Sequence, residues 1–541
     1  MKLRALFIGF GLLSLAACGR QDAIPTETQS SAAPIVLNRG SGGEPDTLDP
    51  HRNEENSGAE ILRDLFEGLT TEDVEARIVP GTAESWTISE DGRVYTFSIR
   101  SGARWSNGDP VAAEDFVAGL RRTVAPATAS TYAQILYPIE NAEAIVNGKL
   151  PPEDLAVHAI DARTLEIRLA APTPYFLDLL SHATTYPLHR ASFAEHGAQF
   201  SRPGNLVSNG AYRLTEWVVQ SHVKAEKNPY YWDAGNVQID TVVFHSTEDI
   251  DAELRRYRAG ELDFTFQFPA SQYRWIQDNL PGELHNDPYI STYFYALDIQ
   301  EPPFDDPRLR QALSMAIDRT VITEQVTAAG ETPAYGLVPP GVQNYAGPRY
   351  AWAELASEQR VAEARRLYAL AGYSDSNPLE IEIRYNTSEN HRRIAVAIAS
   401  MWKQHLGVDA RLVNEEWKVM LQTRQDPSAW DVMRIGWTGD YNDAFTFLEI
   451  FHSSHGQNFP GYADPEYDAL LEAIANETDL ERRRVLMHEA ERRVMEAYPV
   501  VLIYFYANKH LVKPYVKGFQ ANIMDHNHSR YLRIERNFDR P

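Results

Sequence analysis

One run of residues carries charge, aromatic surface and glycine together: Arg434-Ile435-Gly436-Trp437-Thr438-Gly439-Asp440-Tyr441-Asn442-Asp443. Glycines let another backbone approach closely, and a tryptophan can floor a pocket. The arginine and the first aspartate could then hold the carboxylate and ammonium ends of a zwitterion. The same residues admit a plainer reading, in which Asp440 or Asn442 caps the following helix and Arg434 forms a surface ion pair. The local sequence does not choose between them. A second polar stretch, Asn386 to Arg393, reads as a helix start whose first turn could also receive an anion.

Other chemistry is sparse. His452 and His455 stand three residues apart, and His526 and His528 flank Asn527. Two histidines without a third ligand are a weak metal pattern, so no metal and no other cofactor is expected. Met487-His488-Glu489 lies in a Glu/Arg-rich stretch and reads as a solvated helix face. The chain contains no G-x-S-x-G elbow, no H-E-x-x-H and no P-loop, and it is not expected to be an enzyme. A formal net charge of −24, with acids spread along the chain, opposes binding to nucleic acid.

The elements that must position these residues alternate along the chain. Val94 to Arg100 and Thr164 to Leu169 alternate apolar and polar residues after turns, as half-buried strands do. Leu379 to Tyr385 and Val500 to Tyr506 also read as strands. Helical spacing covers Glu114 to Val124, Leu309 to Gln325 after Asp306-Pro307, Ser357 to Leu370 and Leu480 to Tyr498. The mixture predicts an α/β protein with several sheets, and 541 residues exceed what one core usually holds. The 10 Trp and 27 Tyr are mostly core residues, with a minority free to line a large ligand site.

The N-terminus fixes an address. Lys2 and Arg4 precede an apolar run, Ala5 to Leu15, too short to span a bilayer, which ends at Leu15-Ala16-Ala17-Cys18. This is the pattern of a signal peptide closing on a lipobox. Cys18 is the only cysteine, so lipidation is the role left for its thiol. Residues 1–18 are therefore expected to be a lipoprotein leader and 19–34 a flexible polar tether. The body would be exported and anchored by lipid, with the inner or outer membrane undecided.

The stretch from Gly81 to Asp115, containing AESWTISEDGRVYTFSIRSGARWSNGDPVAAEDF, resembles the signature of the family 5 extracellular solute-binding proteins. The likeness to the Opp-type oligopeptide binders of that family runs from about Ser41 to Ile534. It includes LDPHR at Leu48, RDLFEGL at Arg63, NGAYRL at Asn209, LRQALSMAIDR at Leu309, the Arg434–Asp443 run and LVKPYVKGF at Leu511.

The resemblance implies a two-lobed periplasmic-binding-protein-like fold of the class II type, with an extra domain and a hinge between the lobes. Domain I would comprise 35–66, 190–291 and 508–541, domain II 67–189, and domain III, the second lobe, 292–507. It implies a monomer that captures short peptides between closing lobes and passes them to the membrane permease subunits of an ABC transporter. Asp440 matches the residue that receives the peptide ammonium, and Gly436 the one that pairs with the ligand backbone. Trp417, Trp437 and Tyr506 match pocket aromatics, and Glu54, Glu55 and Asn56 the segment beside the first ligand residues. Arg434 and His391 match positive groups that meet the ligand carboxylate.

Three departures stand out. A further family lysine falls at about Thr327. Ser291 and Thr438 occupy positions where some relatives carry a disulfide. The lipobox is absent from well-known soluble relatives. A specialised binder of murein tripeptide or another peptide-like ligand is the alternative; it would need an extra cation for a second ligand carboxylate, and the sequence shows none clearly.

Overall fold

Alternating patterns become paired strands wherever one face meets a core. In the strand Val94–Ile99, Tyr95, Phe97 and Ile99 turn inward while the residues between them remain half-exposed. That strand lies between Ala83–Ile88 and Thr164–Arg168 in an antiparallel four-stranded sheet completed by Val157–Asp161. The helices Ala113–Val124, Ser357–Leu370 and Leu480–Ala497 form where helical spacing predicts them. The chain is seen in a computed structural model that describes residues 33–535. The leader, Cys18 and most of the tether lie outside the described residues.

Two expectations need correction. The spacing over Leu309–Gln325 suggests one helix, but the helix Pro307–Met315 ends and Arg319–Val321 starts anew. Asp306 caps the first by accepting from the Arg308 N–H at 2.8 Å, and Asp318 caps the second by accepting from the Val321 N–H at 3.1 Å. The break lets the buried Arg319 turn inward, where it donates to the carbonyls of Leu502 and Ser314 at 2.8 and 3.0 Å. A charged group can be buried only with such partners. The strand expected over Val500–Tyr506 continues to Leu511, for a reason given below.

The structure has two large cores. One joins the sheet of Val36–Gly40, Thr241–His245, His222–Lys227 and Tyr212–Val218 with the sheet containing Val94–Ile99, and makes the first lobe. The other surrounds a six-stranded mixed sheet in the order Thr332–Pro333, Val500–Leu511, Leu284–Leu297, Val432–Thr438, Glu380–Asn386, Asp409–Glu415, and makes the second.

Two strands of the second sheet are long enough to leave it. Leu284–Leu297 and Val500–Leu511 pair antiparallel in two stretches, Leu284–Pro288 against Leu511–Ala507 and Thr292–Ala296 against Phe505–Val500, with the register broken between them. Past the break they run toward the first lobe, where Phe264 bridges both Val512 and Arg39. A broken register in a shared pair of strands is a natural hinge, because the ladder hydrogen bonds that would stiffen it are missing there. The lobes also touch at Tyr175, whose ring stacks on Tyr441 at 4.4 Å and lies 5.7 Å from Phe445.

Ser291 and Thr438 sit directly opposite each other on neighbouring strands, and their hydroxyls hydrogen-bond at 2.9 Å. At the positions where the resemblance implies a disulfide in some relatives, this chain has a hydrogen bond. The double variant Ser291→Cys/Thr438→Cys is expected to oxidise to an internal disulfide. The cross-link should stabilise by about 2–4 kcal/mol, read as a higher thermal midpoint for the oxidised than for the reduced form.

Candidate functional site

The strand Val432–Thr438 holds the candidate residues. One edge is paired to Leu284–Leu297 along its whole length, from Val432 to Thr438. The other meets Glu380–Asn386 only at Val432 and Met433. From Arg434 to Thr438, therefore, a strand edge lies open between the lobes, able to accept an extended backbone as an added strand. Gly436 is in this edge. A Cβ there would stand 3.2 Å from the Thr292 carbonyl, so the position favours glycine.

The turn after the strand aims Asp440. Gly439 donates to the Ile290 carbonyl at 2.8 Å, and a Cβ on it would meet Ile290 and Thr446 at 2.9 Å. The helix-capping explanation belongs to other residues. Asp443 accepts from the Phe445 N–H at 2.8 Å and binds Arg483 at 2.6 and 3.0 Å, while Asn442 accepts from the Gln343 N–H at 3.0 Å. The Asp440 carboxylate has no hydrogen-bond or ion-pair partner among the described residues. Water reaches it, yet protein surrounds it on most sides, and this desolvation pushes its pKa up to about 6.

At the other end of the open edge, Arg434 lies over the Tyr293 ring at 4.7 Å and donates to the Tyr506 hydroxyl at 2.7 Å and to Asn386 at 3.4 Å. It has no acidic partner among the described residues. Its Nε is buried without a hydrogen bond. His391 faces the Tyr293 hydroxyl through Nδ1 at 3.2 Å, in the first turn of the helix Glu389–Leu406 capped by Ser388. Burial, reinforced by Arg434, pushes the His391 imidazole down to about 3. It therefore stands neutral in the empty cleft, where the resemblance implied a positive group. Thr327, at the site of the missing lysine, donates to Glu331 at 2.8 Å, and Glu331 pairs with Lys509 at 2.6 Å.

The remaining candidates divide. Asn56 and Tyr506 line a chamber of about 420 Å³ on the hinge side of the cleft. Glu54 and Asp440 both act on Tyr132, whose pKa rises through burial first and then through these two carboxylates. Glu55 is engaged locally, accepting from the Asp46 N–H at 2.7 Å and the Ser57 hydroxyl at 2.9 Å. Trp437 and Gly436 line a second cavity of about 180 Å³. Trp417 is 46 % exposed at the start of the helix Trp417–Thr423 and lines neither.

Two site residues escape the sequence reading. Tyr132 comes from the first lobe and carries no local motif. Arg424 lines the cavity beside Gly436 and Trp437, with its Nε buried and unpartnered. The histidine pairs serve locally: His452 lies 3.9 Å from Asp468, while His526 and His528 approach Glu72 at 2.6 and 3.9 Å. Among the described residues no group of three or more His, Cys, Asp or Glu is arranged to hold a metal ion.

Two lobes on a strand hinge, with an open strand edge and unmatched opposite charges between them, define a solute-binding protein of the two-lobed kind. Residues 77–459 match the bacterial extracellular solute-binding proteins, family 5, and the chain belongs to that family. The periplasmic oligopeptide-binding protein OppA of Escherichia coli K12 is 39% identical over 503 residues, covering 92% of each chain. Among solved structures, the unliganded open form of the murein tripeptide-binding protein MppA superposes with a TM-score of 0.85 at 38% identity, covering 93% of this chain and 98% of that one. Haemophilus influenzae OppA in complex with RPPGFSPFR gives 0.75 at 38% identity, covering 93% and 99%.

The raised pKa of Asp440 makes a prediction about the empty protein. A carboxyl that titrates at about 6 when folded, above its unfolded value, opposes folding once ionised. That penalty is absent near pH 4, grows toward pH 6 and is complete above it. Asp440→Asn should therefore raise the thermal midpoint of ligand-free protein at pH 7, and the gain should vanish at pH 4.

Proposed function

We propose that this protein captures short peptides between its lobes and hands them to the membrane subunits of an ABC importer. The observation that carries the reading is the pair of unmatched charges, Asp440 and Arg434, at the two ends of an open strand edge. Peptides share an ammonium, a carboxylate and a backbone of alternating donors and acceptors. A site that grips those three and leaves roomy, wet cavities for side chains binds with little regard to sequence. Asp440 receives the ammonium beside Tyr132 and Glu54, the edge at Gly436 pairs with the backbone, and Arg434 with neutral His391 receives the carboxylate. Trp437, Tyr506 and Asn56 border the side chains. The protein binds its ligand unchanged and works as a monomer of three domains with the boundaries given above.

The likeness to periplasmic binding proteins, with the leader ending at Cys18, supports a periplasmic protein tethered by lipid to one of the two membranes. One observation favours a specialised ligand as a second reading. Arg424 offers a cation beside the open edge, as a murein tripeptide with a second carboxylate would require.

Native mass spectrometry of protein lacking residues 1–18 tests both. A ladder of released di- to pentapeptides supports general capture, and one released species supports the specialised binder. An empty protein that also ignores added tri- and tetrapeptides refutes both. Asp440→Ala should weaken trialanine binding by about 3–5 kcal/mol, since the ammonium would be buried unpaired. In the native protein, protonation of Asp440 should lower affinity about tenfold between pH 7 and pH 5, a dependence that Asp440→Asn removes. Calorimetric titration measures both effects.

A further inference from the structure

The hinge-side chamber is lined by several charged groups, and nearly all are matched. Lys509 pairs with Glu331 at 2.6 Å, and His510 with Asp525 at 2.7 Å. Glu60 pairs with the buried Arg39 at 3.6 Å, and His526 with Glu72 at 2.6 Å. Arg63 is the exception. It projects from the last turn of the helix Asn56–Leu65 into the same chamber, half-buried, and among the described residues it makes neither an ion pair nor a side-chain hydrogen bond. A partly desolvated guanidinium that lines such a chamber without an acidic partner among the described residues is suited to an anion, and its planar fork matches a carboxylate.

The chamber is continuous with the proposed peptide site. Asn56 and Tyr506 border it, and Asn390, one residue before His391, forms part of its second-lobe wall. Arg63 is held by the first lobe, whereas Arg434 and Arg424 belong to the second. A ligand gripped by both would be held across the cleft.

We infer that this chamber is a carboxylate subsite in which Arg63 receives a second acidic group of the bound peptide, from an acidic side chain or from the C-terminus of a longer ligand. This deepens the peptide reading and rests on it. It assigns the protein a preference for ligands carrying negative charge at one defined position, despite its own strongly acidic composition.

Calorimetric titration with synthetic peptides tests the assignment. The probes are trialanine, pentaalanine with a single Glu or Gln at each of positions two to five, and alanine tri- to pentapeptides as free acids or C-terminal amides. The proteins are the native chain, Arg63→Gln and Arg63→Lys. At one side-chain position, or at one peptide length, the acid should bind about tenfold more tightly than its neutral counterpart. Arg63→Gln should reduce that ratio below about twofold and Arg63→Lys should keep part of it, while all three proteins bind trialanine within about twofold of each other. A Glu/Gln ratio lost in Arg63→Gln identifies a side-chain carboxylate, and an acid/amide ratio lost there identifies the terminus. Ratios unchanged in Arg63→Gln, or an equal loss for every probe including trialanine, overturn the inference while leaving peptide capture standing. Failure of the native protein to bind trialanine overturns both.

Discussion

The rest of the molecule depends on how two strands cross from one core to the other. Leu284–Leu297 and Val500–Leu511 are anchored in the second-lobe core by their inner halves, where Tyr293, Phe294, Tyr295, Leu502 and Tyr504 are buried. Their outer halves are stitched to the first lobe through Val512 and Phe264. Interrupting the ladder between Pro288 and Thr292 leaves a short length of backbone free to rotate without unpairing either half. The same strands also place the site. The inner half of Leu284–Leu297 pairs one edge of Val432–Thr438, Ile290 holds Gly439, and Tyr506 holds Arg434. Hinge and ligand edge are thus made from the same few residues, so motion at one is felt at the other.

The proposed function rests on charges the fold leaves unmatched. Several buried charges elsewhere are matched: Arg319 with carbonyls, Arg310 with the carbonyls of Ala497 and Phe304, Arg530 with Glu67. That is the usual requirement for a charge out of water. At Asp440, Arg434, Arg424 and Arg63 no acid–base partner is provided among the described residues, and desolvation raises the Asp440 pKa accordingly. Such groups make the empty protein less stable than a paired version would be. The deficit is removed by a ligand that supplies the missing partners, so binding and closure draw on free energy already present in the folded chain.

Much of this was legible in the sequence where the signal is local. Alternation located Val94–Ile99 and Thr164–Arg168, spacing located Ser357–Leu370, and the resemblance placed Ser291 opposite Thr438 across 147 residues of chain. The run from Arg434 to Asp443 was ambiguous because capping and ligand anchoring ask for the same residue types. The structure removes the capping reading for Asp440 and Asn442, by giving the capping work to Asp443 and the Gln343 contact to Asn442. The helix break at Ala316 was not legible, since it follows from where Arg319 finds acceptors in a distant strand. Tyr132, Arg424 and Arg63 were missed for the same reason: each is ordinary in its own segment and acquires meaning from what it faces across the cleft.

The neutral state of His391 bears on how the proposed carboxylate end would work. Two fixed positive charges side by side would repel each other in the empty cleft, and burial beside Arg434 resolves this by removing the proton from the imidazole. A ligand carboxylate placed there reverses the balance, because it makes the protonated imidazole favourable again. In the proposed binding mode a carboxylate at this end therefore favours proton uptake by His391, whereas an ammonium at Asp440 favours proton release.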